Sequence, residues 1–219
     1  MALPVELMLV EYVAARLCHD LVGPVGAVAN GVELLGTAGE RIDPEITQLI
    51  GDSARLASQR LQFFRVALGT SNALPPVGRH AEVRRLTDGL FAGSRVALDW
   101  GLRVPEVEAL LGRTGAKVLL ILVAIAFDAL PRRGRVRIEG GSGEGGRLDI
   151  SVSALDGEVR IPDEIRAALN GAVGASELTP RNVPAYIAAR LAQAAGGQTR
   201  VGTIGPNYLD LVLDLPPGV

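Results

Sequence analysis

The chain has 219 residues, of which 48% are hydrophobic, enough for one large or two small domains with their own cores. The formal net charge is -2 and no basic block is present, which argues against nucleic acid as a partner, because backbone phosphates select clustered positive charge. A single cysteine excludes an internal disulfide and fits a reducing compartment.

The N-terminal residues lack the basic region of a signal peptide. The longest apolar run, residues 118–127, is far shorter than the ~20 residues that cross a bilayer. We therefore expect a soluble, cytoplasmic protein without a membrane partner.

The first predicted element is a long helix over residues 4–35. Its apolar residues recur at spacings of three and four, which is typical of one apolar stripe of a helix: Val10, Val13, Leu17, Leu21, Val25, Val28, Val32 and Leu35. His19 lies about 200° around the helix from Leu17 and Leu21. The imidazole is therefore expected to face solvent or a partner, whereas the adjacent Cys18 is interpreted as a small packing residue.

Small residues continue the histidine's side of this helix. They stand four, seven, eight and eleven positions after it: Gly23, Gly26, Ala27 and Asn30. Glycine inside a helix costs about 1 kcal/mol and proline about 3. Two glycines and Pro24 therefore lower the helix propensity of this segment, and such a departure from local preference is expected at a functional site. Pro24 also removes an N–H and crowds the carbonyl of Asp20, which predicts a loosened or kinked helix.

The motif His19-Asp20-Leu21-Val22-Gly23-Pro24, followed by Asn30-Gly31-Val32-Glu33-Leu34-Leu35, resembles the phosphoacceptor box of bacterial histidine phosphotransferases of the ChpT type. It is more loosely similar to the box of sensor histidine kinases. The resemblance implies that His19 takes a phosphoryl group from the receiver domain of a hybrid histidine kinase. It further implies that response regulators of the cell cycle then receive the group.

The same resemblance implies roles for the neighbours of His19. Asp20 would fix the tautomer or the orientation of the imidazole, and Arg16 would either balance phosphoryl charge or pair with Asp20 at i+4. The receiver would dock on the small-residue face formed by Gly23, Gly26, Ala27 and Asn30. Receivers would bring the Mg²⁺ that the transfer needs.

A second helix is predicted over residues 44–68, with Asp43 as N-cap and Pro44 at its first position. A short connection makes the two helices antiparallel, so residues 1–70 are expected to form a helical hairpin. Because two helices do not enclose a core, we expect a homodimer in which two hairpins form a four-helix bundle. The alternative is that the hairpin packs only on the remainder of its own chain.

Residues 69–79 have the composition of a linker, and residues 80–219 are expected to form a second domain. Its pattern predicts an α+β sandwich, a mixed sheet covered by helices. The predicted helices are 81–91, 115–130, 162–169 and 180–195, and the predicted strands are 95–100, 135–139, 148–154, 199–204 and 208–215. The glycine-rich segment 140–146 lacks a following Lys-Ser/Thr and is interpreted as a hairpin loop, and His80 as a surface residue.

This second half resembles the ATP-binding domain of histidine kinases, with losses at the nucleotide site. On that resemblance Ile125 stands where kinases carry their magnesium-binding asparagine, and an aliphatic side chain offers Mg²⁺ no oxygen. Asp156-Gly157 is the remnant of the adenine-binding turn, and a glycine-rich lid is absent. The chain is therefore expected to bind no ATP, metal or other cofactor and to have neither ATP hydrolysis nor autokinase activity.

The prediction is a phosphotransfer protein, and whether it counts as an enzyme stays open. One alternative is an ATP-dependent histidine kinase of unusual sequence. The other is a non-catalytic dimeric scaffold that sequesters response regulators, for which His19 would be dispensable.

Overall fold

The computed structural model describes residues 4–37, 43–70, 74, 79–102, 112–140 and 146–216. Two long helices, α1 (Val5–Thr37) and α2 (Pro44–Ala67), form the predicted hairpin. Asp43 caps α2, since its side-chain oxygen accepts a hydrogen bond from the backbone N–H of Glu45 at 2.9 Å. The local sequence thus sets where the second helix begins.

One glycine governs how closely the two helices approach. Gly31 is buried in α1, and a Cβ atom built on it would overlap Cγ1 of Ile50 in α2. The missing side chain allows the helices to pack at short distance near the turn of the hairpin.

The rest of the described chain alternates helices with a five-stranded sheet. Its elements are α3 (Arg79–Phe91), β1 (Val96–Trp100), α4 (Arg113–Asp128), β2 (Gly134–Gly140), β3 (Gly146–Ala154), α5 (Asp163–Leu169), a 3₁₀ turn (Ala175–Glu177), α6 (Val183–Ala194), β4 (Gln198–Gly205) and β5 (Tyr208–Leu215). The strand order is β1-β2-β3-β5-β4, with β1 and β2 parallel and the other pairs antiparallel. This arrangement confirms the predicted α+β class with a mixed sheet.

The apolar helix α4 lies at the centre of the molecule. It contacts the sheet through β3 and β5 and also contacts α2, α3 and α6. A helix that is hydrophobic nearly all round needs such cover on every side. The C-terminal end of α2 belongs to the same core through Phe63, Phe64 and Val66, so the hairpin and the sheet share one core.

Several side chains lie elsewhere than the sequence pattern predicted. Val10, Val25 and Val32 of the apolar stripe are more than half exposed in the single chain, whereas Leu17 of the same stripe packs against the core. Cys18 is exposed, so its interpretation as a packing residue was wrong.

His80 was predicted at the surface but is half-buried, and its Nε2 accepts a hydrogen bond from Trp100 Nε1 at 3.1 Å. Within the predicted linker, Leu74 is buried in the core, while residues 71–73 and 75–78 lie outside the described residues. Residues 141–145 of the glycine-rich segment also lie outside them. In the described part of the chain no helix is both long and apolar enough to cross a membrane.

Candidate functional site

His19 stands on the solvent side of α1 beside a largely covered carboxylate. The imidazole is 81% exposed, whereas Asp20 is only 12% exposed. Nδ1 of His19 lies 3.1 Å from Oδ1 of Asp20. Because a carboxylate only accepts hydrogen bonds, this contact assigns the proton to Nδ1 and leaves the lone pair of Nε2 directed at solvent.

Arg16 completes the pairing of Asp20. Its Nε donates to Oδ2 of Asp20 at 2.8 Å, so each carboxylate oxygen has its own partner. The guanidinium also donates through Nη2 to Oδ2 of Asp128, at the C-terminal end of α4. Of the two roles that the sequence left open for Arg16, the ion pair with Asp20 is therefore present.

These four residues form a chain of contacts from α4 to the exposed imidazole: Asp128, Arg16, Asp20 and His19. Partial burial raises the pKa of Asp128, Arg16 opposes the rise, and the net pKa lies above its ordinary value. Half of the Asp128 side chain is exposed, so solvent screens part of this effect. Burial alone would lower the pKa of Arg16, but Asp128 and Asp20 outweigh it and raise that pKa.

Pro24 does not end α1, because a residue of α2 replaces the hydrogen bond that it removes. Proline has no N–H to donate to the carbonyl four residues earlier, which is that of Asp20. Nη1 of Arg60 donates to this carbonyl oxygen at 2.8 Å. Arg60 thus ties α2 to α1 at the residue after His19, and α1 runs on as one helix through Pro24.

The predicted small-residue face is open. A Cβ atom added to Gly23 or Gly26 would have no heavy atom within 4 Å, apart from the backbone of its own helix turn. Asn30 is exposed, and Ala27 is half-buried. Together with His19 they leave a shelf on α1 on which a partner can rest.

Ile125, at the position that the kinase resemblance assigns to a magnesium ligand, is 7% exposed and lies in the wall of a cavity between α2 and α4. Asp156 forms an ion pair with Arg133 at 3.4 Å and is not part of that wall. Within the described ranges, no three His, Cys, Asp or Glu side chains are grouped so that they would hold a metal ion.

The sequence analysis missed two residues of the site, Arg60 and Asp128. Pro24 carried a signal for the first, since an interior proline leaves one carbonyl in need of a donor. That signal does not say which donor supplies the bond. No local pattern marks Asp128, which reaches Arg16 across 112 residues of sequence.

Comparison with known proteins gives consistent matches over most of the chain. Residues 80–205 match the family described as the histidine phosphotransferase C-terminal domain. The protein phosphotransferase ChpT of Brucella abortus (strain 2308) is 34% identical over 202 residues, which cover 90% of this chain and 92% of the relative. The structure of a bacterial phosphotransferase superposes with a TM-score of 0.73 at 29% identity, over 97% of this chain and 98% of that chain.

Proposed function

The chain belongs to the ChpT-type histidine phosphotransferases, and from that membership we propose that His19 is the residue that carries the phosphoryl group. The observation that supports this assignment is an imidazole that is 81% exposed and paired through Nδ1 with a covered carboxylate. In the tautomer protonated at Nδ1, the lone pair of Nε2 is the nucleophile that can attack phosphorus.

In the proposed reaction, Nε2 of His19 attacks the phosphorus of an aspartyl phosphate on the receiver domain of a hybrid histidine kinase. A nitrogen–phosphorus bond forms while the bond to the aspartyl oxygen breaks, and the donor leaves as a free carboxylate. The aspartate of a response regulator then attacks the same phosphorus, and His19 regains its lone pair. Positioning and charge neutralisation account for most catalysis of such transfers, and the receivers would supply Mg²⁺.

The neighbours of His19 hold the imidazole in place for this step. Asp20 accepts a hydrogen bond from Nδ1–H, which fixes the ring and favours the tautomer in which Nε2 carries the lone pair. Arg16 neutralises Asp20, so that the carboxylate repels the incoming phosphoryl group less. Asp128 acts as a positioning residue, because it holds the other end of the Arg16 guanidinium.

The test follows a radioactive phosphoryl group. Purified chain is incubated with labelled ATP alone, and then with a labelled, phosphorylated receiver domain. We expect acid-labile label on the chain only in the second incubation. The chain has two histidines, which offers a matched pair of variants: His19→Gln should lose the label and His80→Gln should keep it.

Other outcomes separate the alternatives. Label from ATP alone would indicate a kinase. If His19→Gln still transferred the phosphoryl group, His19 would not be its carrier. If that variant transferred nothing but retained every cellular function, the scaffold would be favoured.

We propose that the chain binds no nucleotide at the position of the kinase site. Ile125 supplies an aliphatic wall where Mg²⁺ needs oxygen ligands. Isothermal titration with ATP and Mg²⁺ should therefore give no heat of binding. Saturable binding that is lost on replacing Ile125 with a bulkier residue would contradict this expectation.

The receiver is proposed to dock on the open face of α1 formed by Gly23, Gly26, Ala27 and Asn30. Gly26→Leu should block receiver binding, because the new side chain fills the shelf from a Cβ position that has no heavy atom within 4 Å outside its own helix turn. Gly36→Leu is the control, since Gly36 is equally open and lies about 15 Å farther along the same helix. Equal affinity of both variants for a receiver would remove this docking surface.

A homodimer through the hairpin is proposed from the apolar residues that α1 and α2 leave in solvent. Each is about half exposed or more: Leu7, Val10, Val25, Val32, Leu49 and Leu61. A second copy would cover them in a four-helix bundle and leave both histidines outside. Light scattering should give twice the chain mass, and Val10→Glu with Val25→Glu should halve it, whereas Leu155→Glu on the second domain should not. A single-chain mass for the unaltered protein would contradict the dimer.

A further inference from the structure

A cavity lies where the C-terminal end of α2 meets α4 and the start of α6. Its volume is about 430 Å³, which falls within the roughly 300–1,000 Å³ of small-molecule sites. Much of its wall is apolar, including Phe63, Phe64, Leu68, Ile121, Ile125 and Ile165. An apolar wall of this size favours a ligand with a hydrophobic body.

The charged residues of the wall are mostly cationic. Three arginines, Arg16, Arg160 and Arg181, stand against one carboxylate, Asp128. Among the residues that the structure describes, the Arg181 side chain pairs with Glu164 alone, at 3.6 Å. The exposed Arg160 side chain makes no hydrogen bond or ion pair with any residue of the described ranges, so its guanidinium is available to an anion.

We propose that this cavity binds an amphipathic anion, a molecule with an apolar body and one carboxylate, sulfonate or phosphate group. The body would rest on the apolar wall, and the anionic group would pair with Arg160 at the mouth. Guanidinium groups suit this role because they donate to such oxygens in a planar fork. The proposal is independent of the role of His19.

The cavity is connected to the histidine site by shared residues. A smaller recess of about 40 Å³ reaches Asp20 and shares four wall residues with the cavity, namely Arg16, Phe64, Ala124 and Asp128. An occupant would therefore lie against the guanidinium that contacts Asp20.

The test uses two fluorescent probes that differ by one charged group. 8-Anilinonaphthalene-1-sulfonate carries a sulfonate, and N-phenyl-1-naphthylamine has the same aromatic body without it. We expect one saturable sulfonate site per chain, with weaker binding of the neutral probe. Arg160→Glu should weaken the affinity of the chain for the sulfonate probe about tenfold and leave its affinity for the neutral probe unchanged.

Matched variants separate this site from other apolar surface. Ala124→Trp and Leu68→Trp each place an indole in the cavity and should abolish binding of both probes. Two filling variants are used so that a folding defect in one does not decide the result. Arg135→Glu is the charge control, because Arg135 is exposed on β2 and is not in the cavity wall.

Three results would overturn the proposal. Unchanged probe binding in both tryptophan variants would place the probes elsewhere. An equal effect of Arg160→Glu and Arg135→Glu would exclude recognition of the anion by Arg160. Displacement of the sulfonate probe by ATP with Mg²⁺ would assign the cavity to nucleotides instead.

Discussion

The hydrogen bond between Arg60 and the carbonyl of Asp20 should exist because of Pro24, and a double-mutant cycle tests that dependence. Arg60→Met removes the donor and keeps most of the aliphatic stem. A hydrogen bond from a charged donor contributes about 1.5–3 kcal/mol, so we expect Arg60→Met to lower the free energy of unfolding by that order.

Pro24→Ala should reduce the contribution of the Arg60 hydrogen bond to the free energy of unfolding. The alanine N–H donates to the Asp20 carbonyl within α1, as in an ordinary helix. The exchange recovers about 3 kcal/mol of helix propensity and loses about 1.6 kcal/mol for two buried methylene groups. Pro24→Ala alone should therefore stabilise the chain by about 1 kcal/mol, and Arg60→Met should cost about 1 kcal/mol less in that background.

The assay is urea unfolding of the four proteins of the cycle, followed by circular dichroism. Arg55→Met is the control, because Arg55 is an exposed α2 arginine that pairs only with Asp52, at 2.9 Å. Its effect should stay within about 0.5 kcal/mol and should be equal in both backgrounds. If Pro24→Ala and Arg60→Met add within about 0.4 kcal/mol, the reasoning is refuted, since uncoupled sites add in that way.

Three further predictions rest on single contacts. Gly31→Ala should destabilise the hairpin by about 1–3 kcal/mol through overlap with Ile50. Gly51→Ala, in open space, should stabilise it by about 0.5–1 kcal/mol. If both variants shifted the melting temperature in the same direction, the packing argument would be contradicted. Burial lowers the pKa of Lys117, whose Nζ donates to the Gly69 carbonyl at 2.6 Å. The folded state then binds fewer protons than the unfolded state, so stability should rise as the pH approaches 10.5. The urea unfolding midpoint should show this rise in the unaltered chain and not in Lys117→Met. The same dependence of the midpoint on pH in both proteins would refute the prediction. The raised pKa of Asp128 means that folding favours its neutral form, so its stabilising contribution is present below pH 3.8 and is lost as the pH rises through the raised value. Asp128→Asn should consequently leave stability at neutral pH unchanged or higher. A loss of more than about 1 kcal/mol in the free energy of unfolding would show that the ion pair with Arg16 outweighs the cost of burying the Asp128 carboxylate.

The local patterns of the sequence located most elements to within a few residues. The cap at Asp43 and the proline after it set the start of α2, and the strand alternation set β2 and β3 with one buried face. These features depend on neighbours within a turn or a strand, which is the range over which periodicity carries information.

Patterns of the same range do not specify which surface covers an apolar face. The α1 stripe is apolar, yet the chain alone leaves Val10, Val25 and Val32 in solvent. Periodicity indicates that a face is to be covered, but it does not name the surface that covers it. The same limit applies to Cys18, which is exposed although it stands next to the stripe residue Leu17.

The sequence by itself determined the helical hairpin, the α+β class, and the histidine with its carboxylate and small-residue neighbours, because each follows from residues close together in the chain. Only the tertiary structure decided that Arg60 replaces the bond lost at Pro24, that Asp128 holds Arg16, and that a cationic cavity forms beside them. Those contacts join residues 40 and 112 positions apart, and such partners are chosen by the packing of whole helices on a shared core, which no local period encodes.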